Sequence, residues 1–350
     1  MALIFDLESN GFLEQTNVIH SLVIKDTTTG DILRYTFKFG VDMLEVATNN
    51  REYIVAHNGI KFDIPALKKL YPSFNPDMNY VRDTLVMTRL IFPDLLDTDL
   101  RLIDQGKLPK KLLKRHSLEA WGYRLGDPKI DYMEWCATAG IADPFAVWSQ
   151  EMEDYCVQDV LTLESLWNHL VKQNYPEYPV QLEHEVAQII FRQETHGFLF
   201  DQSKAGVLHA KLVDHKCRLE ADLKNTFKPM FVRDGKEPKT PKVNNSKYGY
   251  TKDAPFFPVK CKEFNPGSRD HVALWLRRLH GWKPVEFTND GKPKIDDTVL
   301  AALKYPEAKL LAEYFMVTKR LGQVAEGDEA WFRHVKPDGY IHGGVIPNGA

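Results

Sequence analysis

Apolar and polar residues alternate in short runs over the first forty positions, a pattern typical of β-strands. Residues 3–7 and 18–24 form two mainly apolar runs, and residues 32–39 alternate in part. The turn-forming sequence Thr-Thr-Gly-Asp at 28–31 separates the second run from the third. The pattern predicts an antiparallel meander of three strands.

Beyond the meander, apolar residues recur at three- and four-residue spacing, which is typical of amphipathic helices. Residues 53–56 predict a short buried strand that ends at His57-Asn58-Gly59, and Asp83 and Ser117 are predicted helix caps. Strands that alternate with helices indicate an α/β fold with a mixed sheet flanked by helices. The predicted helices cover residues 64–71, 84–91, 118–125 and 145–170.

Prolines mark a predicted domain boundary near residues 175–180, because Pro176 and Pro179 interrupt the long helical pattern. Residues 228–262 combine prolines with scattered lysines and asparagines, and they predict an extended, mostly irregular insertion. Helical spacing on both sides of this insertion predicts a mainly helical second part. Its helices are expected at residues 181–195, 271–279 and 307–321.

The composition is that of an ordinary soluble protein, with 350 residues, 43% of them hydrophobic and 27% charged. At roughly 150 residues per domain, about two domains are expected. There is no run of the ~20 apolar residues that a membrane helix needs, and the acidic start does not fit a signal peptide, so a cytoplasmic protein is expected. The four cysteines lack zinc-site spacing and are predicted to be reduced thiols.

The formal charge of -3 is unevenly distributed along the chain. Residues 1–200 sum to -10, residues 201–283 sum to +9, and residues 284–350 sum to -2. A basic segment attached to an acidic first half indicates one part that binds a polyanion and another whose carboxylates hold metal ions.

Five residues of the acidic half have the spacing of a metal site. Asp6 and Glu8 are two apart on a strand and leave the same face, Asp63 follows a strand-to-helix turn, and Tyr155 and Asp159 share one helix face. A lone Asp-x-Glu is more often a solvated strand end. Together, however, oxygen ligands from separate elements suit magnesium or manganese.

Such a set suits phosphodiester hydrolysis, in which two divalent ions activate water and stabilise the leaving oxyanion. The sequences DLE at 6–8, HNGIKFD at 57–63 and YCVQD at 155–159 resemble the three motifs of the DEDD exonuclease superfamily, in its tyrosine-bearing branch. The resemblance implies a ribonuclease H-like fold and two Mg²⁺ or Mn²⁺ ions. It also implies that Tyr155 orients the attacking water.

By the same resemblance, Asp6 is expected to bridge both ions, while Glu8 and Asp159 complete the first ion site. Asp63 is expected to hold the second ion, partly through water. Asn58 is expected to contact the substrate strand, although an Asx turn beside Gly59 explains this residue equally well.

Four other polar residues near these motifs are expected to have structural roles or to lie on the solvated surface. His57 is expected to be a hydrogen-bonded histidine at a strand end, and Asp83 a helix cap. Glu153 and Asp154 flank Tyr155 but lie on other helix faces, where a solvated surface is expected.

Longer segments throughout the chain resemble the family-A DNA polymerases of T-seven-like podophages. This resemblance implies a proofreading 3′-to-5′ exonuclease domain at residues 1–175, which acts on single-stranded 3′ ends, and the start of a polymerase domain at residues 180–350. The second is expected to be mainly a thumb that holds duplex DNA, with the basic insertion at 228–262. The matching segments are residues 83–91, 97–126, 196–201, 264–271, 319–331 and 341–350.

The sequence departs from this family in two respects. It ends at Ala350, before the palm and fingers, so the chain is expected not to polymerise alone and to be a split-gene product, an interrupted gene or a fragment. The insertion is also shorter than in relatives that recruit thioredoxin, which argues against a thioredoxin-like processivity factor. For a phage protein, the expected location is the host cytoplasm.

Two alternative functions remain open at this point. One is a free-standing nuclease that trims RNA, since the same carboxylate set occurs in RNA-processing relatives. The other is a DNA-clamping assembly module that docks a separate chain carrying palm and fingers.

Overall fold

The computed structural model describes residues 2–35, 38–128, 132–288 and 290–345. Its internal contacts divide the chain into two compact units. Unit 1 comprises Met1–His196 and Gly343–Ala350, and unit 2 comprises Gly197–His342.

Unit 1 is built around a five-stranded mixed sheet with the strand order β3-β2-β1-β4-β5. The first three strands pair antiparallel, which confirms the predicted meander, and β1-β4-β5 pair parallel. The strands are β1 (Ala2–Ser9), β2 (Ile19–Asp26), β3 (Ile32–Tyr35), β4 (Tyr53–Ala56) and β5 (Val81–Asp83).

Eight helices accompany this sheet in the described part of unit 1. Two predicted caps are confirmed: Asp83 accepts a hydrogen bond from the backbone N–H of Leu85, and Ser117 from that of Ala120. The helices are α1 (Lys38–Asn49), α2 (Asp63–Leu70), α3 (Thr84–Ile91), α4 (Leu96–Asp104), α5 (Leu118–Leu125), α6 (Tyr132–Thr138), α7 (Gln150–Lys172) and α8 (Glu177–His196).

Two predicted elements have different bounds in the structure. The third strand was expected to reach Phe39, but β3 ends at Tyr35 and Phe39 lies in α1; residues 36–37 lie outside the described residues. The long helix was expected to begin at residue 145, but α7 begins at Gln150 because Ser149 caps it.

The alternation of side chains along β1 determines what each face of the sheet contacts. The odd-numbered apolar residues of β1 pack with α1 and α2 in one core. The even-numbered apolar residues pack with α3, α5 and α7 in a second core on the opposite face. Asp6 and Glu8 continue the even-numbered series, so they project from the face that α7 covers.

Unit 2 is mainly helical, with a core around the buried side chains of Leu223, Trp275 and Leu311. Ser268 caps α10, as its sequence predicts. The helices are α9 (Gln202–Thr226), α10 (Arg269–His280), α11 (Asp297–Ala301), α12 (Pro306–Leu321) and α13 (Trp331–His334). The short strands are β6 (Phe198–Leu199), β7 (Met230–Arg233), β8 (Val259–Lys262) and β9 (Tyr340–Ile341), with β6 paired to β9 and β7 to β8.

The two ends of the insertion in unit 2 pair with each other. Its two ends form the antiparallel strands β7 and β8, and isolated bridges continue the pairing at Lys239 with Phe256 and at Asn245 with Tyr250. Between the two strands the segment consists of turns, bends and isolated bridges, so the insertion is mostly irregular with a paired base. None of the helices in the described part of the chain has the length and apolar character that crossing a bilayer requires.

A buried histidine links α8 to the end of β5. His184 Nε2 accepts a hydrogen bond from the backbone N–H of Asp83 at 2.7 Å, and its Nδ1 lies 2.7 Å from the carbonyl oxygen of Val180. The ring is therefore neutral, with its proton on Nδ1. Burial lowers the pKa of His184 from its ordinary 6.5 to about 4.

This histidine makes the stability of unit 1 depend on pH. Because its pKa is lower in the folded than in the unfolded state, its contribution is present above pH 6.5 and is lost as the pH falls toward 4. Between pH 7 and pH 5 we expect it to reduce the free energy of unfolding by about 2 kcal/mol. Urea titrations at both pH values measure this free energy, and its decrease should be smaller in His184→Gln, which keeps a hydrogen-bond acceptor, than in the wild type. An equal decrease in the two proteins would contradict the assignment of the pH dependence to His184.

A second buried contact joins α4 to α5. The guanidinium of Arg124 donates to Asp99 through Nε–Oδ1 at 2.8 Å and Nη2–Oδ2 at 2.9 Å, and the two side chains are only 4% and 0% exposed. The backbone N–H of Lys114 donates to Asp99 Oδ2 at 2.7 Å. Both carboxylate oxygens are thus satisfied inside the protein.

Arg124→Met should lower the free energy of unfolding by about 3–5 kcal/mol, because it leaves the Asp99 carboxylate buried without its partner. Chemical denaturation measures the change. Lys38→Ala is the matched control, since its ion pair with Asp42 is exposed and should contribute at most about 1 kcal/mol. Similar losses in the two variants would show that the buried pair contributes no more than a surface pair.

Candidate active site

The carboxylates of β1 stand where the ladder with β2 becomes irregular. Asp6 pairs with Val23 and Glu8 with Ser21, and the register shifts between Glu8 and Ser9. Asp6 is half-buried and Glu8 is buried. Strand β4 pairs with β1 only as far as Ile4, so the two carboxylates lie beyond the end of the parallel ladder.

Helix α7 brings a thiol to these carboxylates. Ligand atoms of Asp6, Glu8 and Cys156 all lie within 4.8 Å of one another. Cys156 Sγ is 3.4 Å from the Asp6 carbonyl oxygen and 3.7 Å from Asp6 Oδ2. Burial, with the charges of Asp6 and Glu8, raises the pKa of the Cys156 thiol well above its usual range, so it remains a protonated donor.

The sequence did not single out Cys156 as part of the site. It was predicted to be a simple reduced thiol, and all four cysteines are indeed free. Two signals could have identified its position: it directly follows Tyr155, and Val160 and Leu163 continue its apolar helix face.

Tyr155 and Asp159 occupy the same part of α7, one turn apart. The Asp159 carboxylate acts electrostatically on the Tyr155 hydroxyl, in agreement with the four-residue spacing that puts both side chains on one helix face. Burial, together with the charges of Asp159, Glu8 and Asp6, raises the pKa of Tyr155 well above its ordinary value. The hydroxyl therefore stays protonated, and it can donate a hydrogen bond but cannot serve as a base near neutral pH.

An aromatic stack supports the ring of Tyr155. The ring centroids of Tyr155 and Tyr132 are 5.3 Å apart with an interplanar angle of 24°. Phe145 packs edge-on against Tyr132 at 5.7 Å, and the Tyr132 hydroxyl donates to the carbonyl oxygen of Pro144 at 2.8 Å. These contacts restrict the directions in which the Tyr155 hydroxyl can point.

Asp63, the first residue of α2, reaches the same cluster from the other side of the sheet end. Its carboxyl is buried, and burial, then the charge of Asp6, raises its pKa well above the ordinary range. Backbone N–H groups of Asp63 and Leu7 oppose this shift. The effect of Asp6 on Asp63 places the two carboxylates within electrostatic range of each other.

The turn before α2 depends on a close backbone approach. A Cβ on Gly59 would lie 2.6 Å from the Cβ of Ala56 and 3.9 Å from Asp63 Oδ2. Any other residue would therefore displace β4 or the turn that positions Asp63.

Asp83 holds this turn in addition to capping α3. Its carboxylate accepts hydrogen bonds from the backbone N–H groups of Asn58 at 2.9 Å, Ile60 at 3.1 Å and Leu85 at 2.9 Å. Asn58 adopts a left-handed conformation with φ 66°, which asparagine tolerates better than most residues. The sequence predicted the cap but not the two bonds to the turn.

The remaining polar residues near the motifs have structural partners. His57 Nδ1 is 2.8 Å from Thr84 Oγ1, which agrees with the expected hydrogen-bonded histidine. Arg34 Nη1 pairs with Asp154 Oδ1 at 3.0 Å and with Glu153 Oε1 at 3.6 Å. Both carboxylates therefore pair with Arg34, but only Asp154 is exposed as expected, since the Glu153 side chain is 13% exposed.

The donor set fits divalent metal ions. One strand and two helices supply four carboxylates, on Asp6, Glu8, Asp63 and Asp159. Their charges raise the pKa values of neighbouring groups. A bound cation would offset the repulsion between them. Asp6 and Glu8 with Cys156 form the compact group, whereas Asp63 and Asp159 lie outside its 4.8 Å limit. Oxygen donors favour magnesium or manganese.

Comparisons with known proteins find similar sequences among phage DNA polymerases. The chain is 35% identical over 425 residues to the DNA-directed DNA polymerase of Escherichia phage T7 and 36% identical to that of Enterobacteria phage T3, in each case over 99% of this chain and 60% of the relative. The matched length exceeds the 350 residues of this chain, so the relatives contain residues that have no counterpart here. No protein-family model matches.

Among solved structures, the polymerase domain of Pol1 from M. smegmatis, in complex with DNA primer-template and dNTP, superposes with a TM-score of 0.55. It is 11% identical and covers 97% of this chain and 48% of that one, so the likeness concerns the fold. The sequence relatives are far closer. Over 99% of its length the chain is therefore similar to the DNA-directed DNA polymerases of phages T7 and T3, and it spans 60% of their length.

Proposed function

We propose that unit 1 is a metal-dependent 3′-to-5′ exonuclease with a ribonuclease H-like fold, which serves proofreading in phage DNA replication. The observation that carries this proposal is the convergence of Asp6 and Glu8, on the α7 side of β1, with Tyr155 and Asp159 on α7 itself. Asp63 joins them from α2. Separate elements thus supply every residue that the three motifs predict.

In this proposal each side chain has a defined task. Asp6, Glu8, Asp63 and Asp159 would hold two Mg²⁺ or Mn²⁺ ions. When bound, such ions activate water and stabilise the leaving oxyanion. The protonated Tyr155 hydroxyl, oriented by Asp159 and the ring of Tyr132, directs the attacking water toward the terminal phosphodiester. Asn58, on the turn held by Asp83, contacts the substrate strand.

We further propose that unit 2 includes the thumb of the polymerase and holds duplex DNA through its phosphates. The +9 charge of residues 201–283 supports this, since lysine and arginine release counterions from phosphates without reading sequence. The domain boundary near 175–180 remains a prediction. By its contacts α8 belongs to unit 1, because His184 bonds to Asp83.

DNA is favoured over RNA as the substrate by the kinship with DNA-directed DNA polymerases. The competing function, RNA trimming, uses the same carboxylates and differs in the strand it accepts. Matched DNA and RNA oligonucleotides, degraded by the purified chain, distinguish the two. Faster hydrolysis of RNA would favour the alternative.

Substituting both β1 carboxylates should abolish hydrolysis. In Asp6→Ala/Glu8→Ala we expect degradation of a labelled DNA oligonucleotide with Mg²⁺ to fall by about a thousandfold or more, since several kcal/mol of transition-state stabilisation is lost. Asp154→Asn is the control, because its carboxylate binds Arg34 on the outside of α7. Equal activity in the double variant and the wild type would rule out this site.

Removing only the tyrosine hydroxyl should give a smaller effect. Tyr155→Phe keeps the ring stacked on Tyr132 but removes the hydroxyl on which Asp159 acts, so we expect kcat to fall by about 10²-fold with little change in KM. Single-turnover experiments measure the rate of the hydrolysis step directly. A variant with wild-type kcat would show that the hydroxyl does not orient the water.

A further inference from the structure

The insertion of unit 2 forms a ribbon with aromatic rings on its outside. We call residues 230–262 the ribbon arm. Its strands β7 and β8 pair from Met230 with Lys262 to Arg233 with Val259, and the bridge between Asn245 and Tyr250 closes the far part. The pairing gives these residues a defined arrangement despite their prolines.

The base of the ribbon arm is fixed to the helical core. Trp275 Nε1 donates to the carbonyl oxygen of Lys228 at 3.0 Å, and Arg278 Nη1 donates to that of Phe231 at 2.8 Å. Both donors lie on α10, and Trp275 is fully buried. The base of the arm is thus held by one bond from the buried Trp275 and one from the exposed Arg278.

The far part carries a stack of aromatic rings. Tyr250 stacks on Phe256 with ring centroids 4.4 Å apart and an interplanar angle of 20°. The ring of Tyr248 stacks on that of Tyr250 with centroids 6.1 Å apart and an angle of 29°. Tyr248 is 62% exposed and Tyr250 is 39% exposed. Large rings that are stacked in a row and yet open to solvent offer faces on which a further planar group can stack.

Positive charge surrounds these rings. The ribbon arm contains eight lysines and arginines against three acidic residues. Lys260 pairs with Asp234 at 2.8 Å. The ion pairs within the described residues include none at the lysines of the far part, which leaves their charge available to an anionic partner. These are Lys236, Lys239, Lys242, Lys247 and Lys252.

We propose that the ribbon arm binds an unpaired DNA strand, with a base stacked on Tyr248, the outermost ring of a stack that Tyr250 continues, and with phosphates bound by the neighbouring lysines. Exposed base faces suit the rings, and phosphates suit the lysines that form no ion pair. Duplex DNA fits less well, because its bases stack on one another and are closed to an added ring. The ribbon arm supplies +5 of the +9 charge of residues 201–283 on which the proposed duplex grip rests, and its stacked rings distinguish this site from that grip. The proposal does not depend on the exonuclease.

A solvated charged face is the simplest competing explanation. It accounts for the lysines, which are often exposed without a partner. It does not account for the stacked tyrosines, since exposing large rings has a cost in water that a solvated face would avoid. The test must therefore separate stacking from charge.

The test measures binding of the full chain to fluorescent oligonucleotides by anisotropy, in EDTA so that metal-dependent hydrolysis cannot occur. Three probes of equal length are used: oligo(dT), an abasic strand with the same phosphates, and a blunt duplex. We expect oligo(dT) to bind roughly tenfold or more tightly than the abasic strand, because stacking adds to the phosphate contacts. Equal affinity for these two probes would overturn the proposal.

Paired variants assign the effect to the ribbon arm. Tyr248→Ala/Tyr250→Ala should weaken oligo(dT) binding roughly 10- to 100-fold and leave abasic and duplex binding nearly unchanged. Tyr248→Phe/Tyr250→Phe keeps both rings and should bind as the wild type. Wild-type affinity in the alanine variant, or an equal loss on all three probes, would overturn the assignment.

A second variant keeps the test decisive if the alanine substitutions loosen the ribbon. Lys242→Gln/Lys247→Gln/Lys252→Gln retains both tyrosines. For a single strand, the slope of log affinity against log salt should become shallower by about 0.7 for each phosphate that a lysine no longer neutralises, or about 2 in all. An unchanged slope would exclude these lysines from the binding surface.

Discussion

The buried carboxylate of Asp83 holds together the segments on which the candidate active site depends. It accepts three backbone N–H groups, two from the turn at Asn58 and Ile60 and one from the start of α3. Its own N–H is bound by His184 of α8. Without these bonds, the turn would carry buried unsatisfied N–H groups, and Asp63 would lose its fixed position beside β1.

Rigid support is needed because the site gathers like charges. Burial and neighbouring carboxylates raise the pKa values of Asp63, Tyr155 and Cys156 together, which reflects the cost of ionising any one of them. A flexible frame would relieve this repulsion by separating the groups. Packing on both faces of the sheet prevents such separation, so the electrostatic cost is retained, and a bound cation would reduce it.

Local sequence periodicity was sufficient to predict much of unit 1. The two-residue period placed Asp6 and Glu8 on one face of β1, and the four-residue period placed Tyr155 beside Asp159 on α7. Features that depend on residues far apart in sequence were missed. The approach of Cys156 to Asp6 spans 150 positions, and the pairing within the ribbon arm depends on strands that turn chemistry alone does not identify.

The close approach of Gly59 to Ala56 affects how the site can be lost during evolution. A methyl group at position 59 would meet the Ala56 Cβ at 2.6 Å, although neither residue has any polar side-chain atom. Sequence change in a lineage can therefore disrupt the candidate metal site without changing any of the carboxylates proposed to bind the ions. Searches for inactive descendants of such domains should examine the glycine of the turn as well as the carboxylates, since a chain that retains all of its acidic residues can have lost the spacing between them.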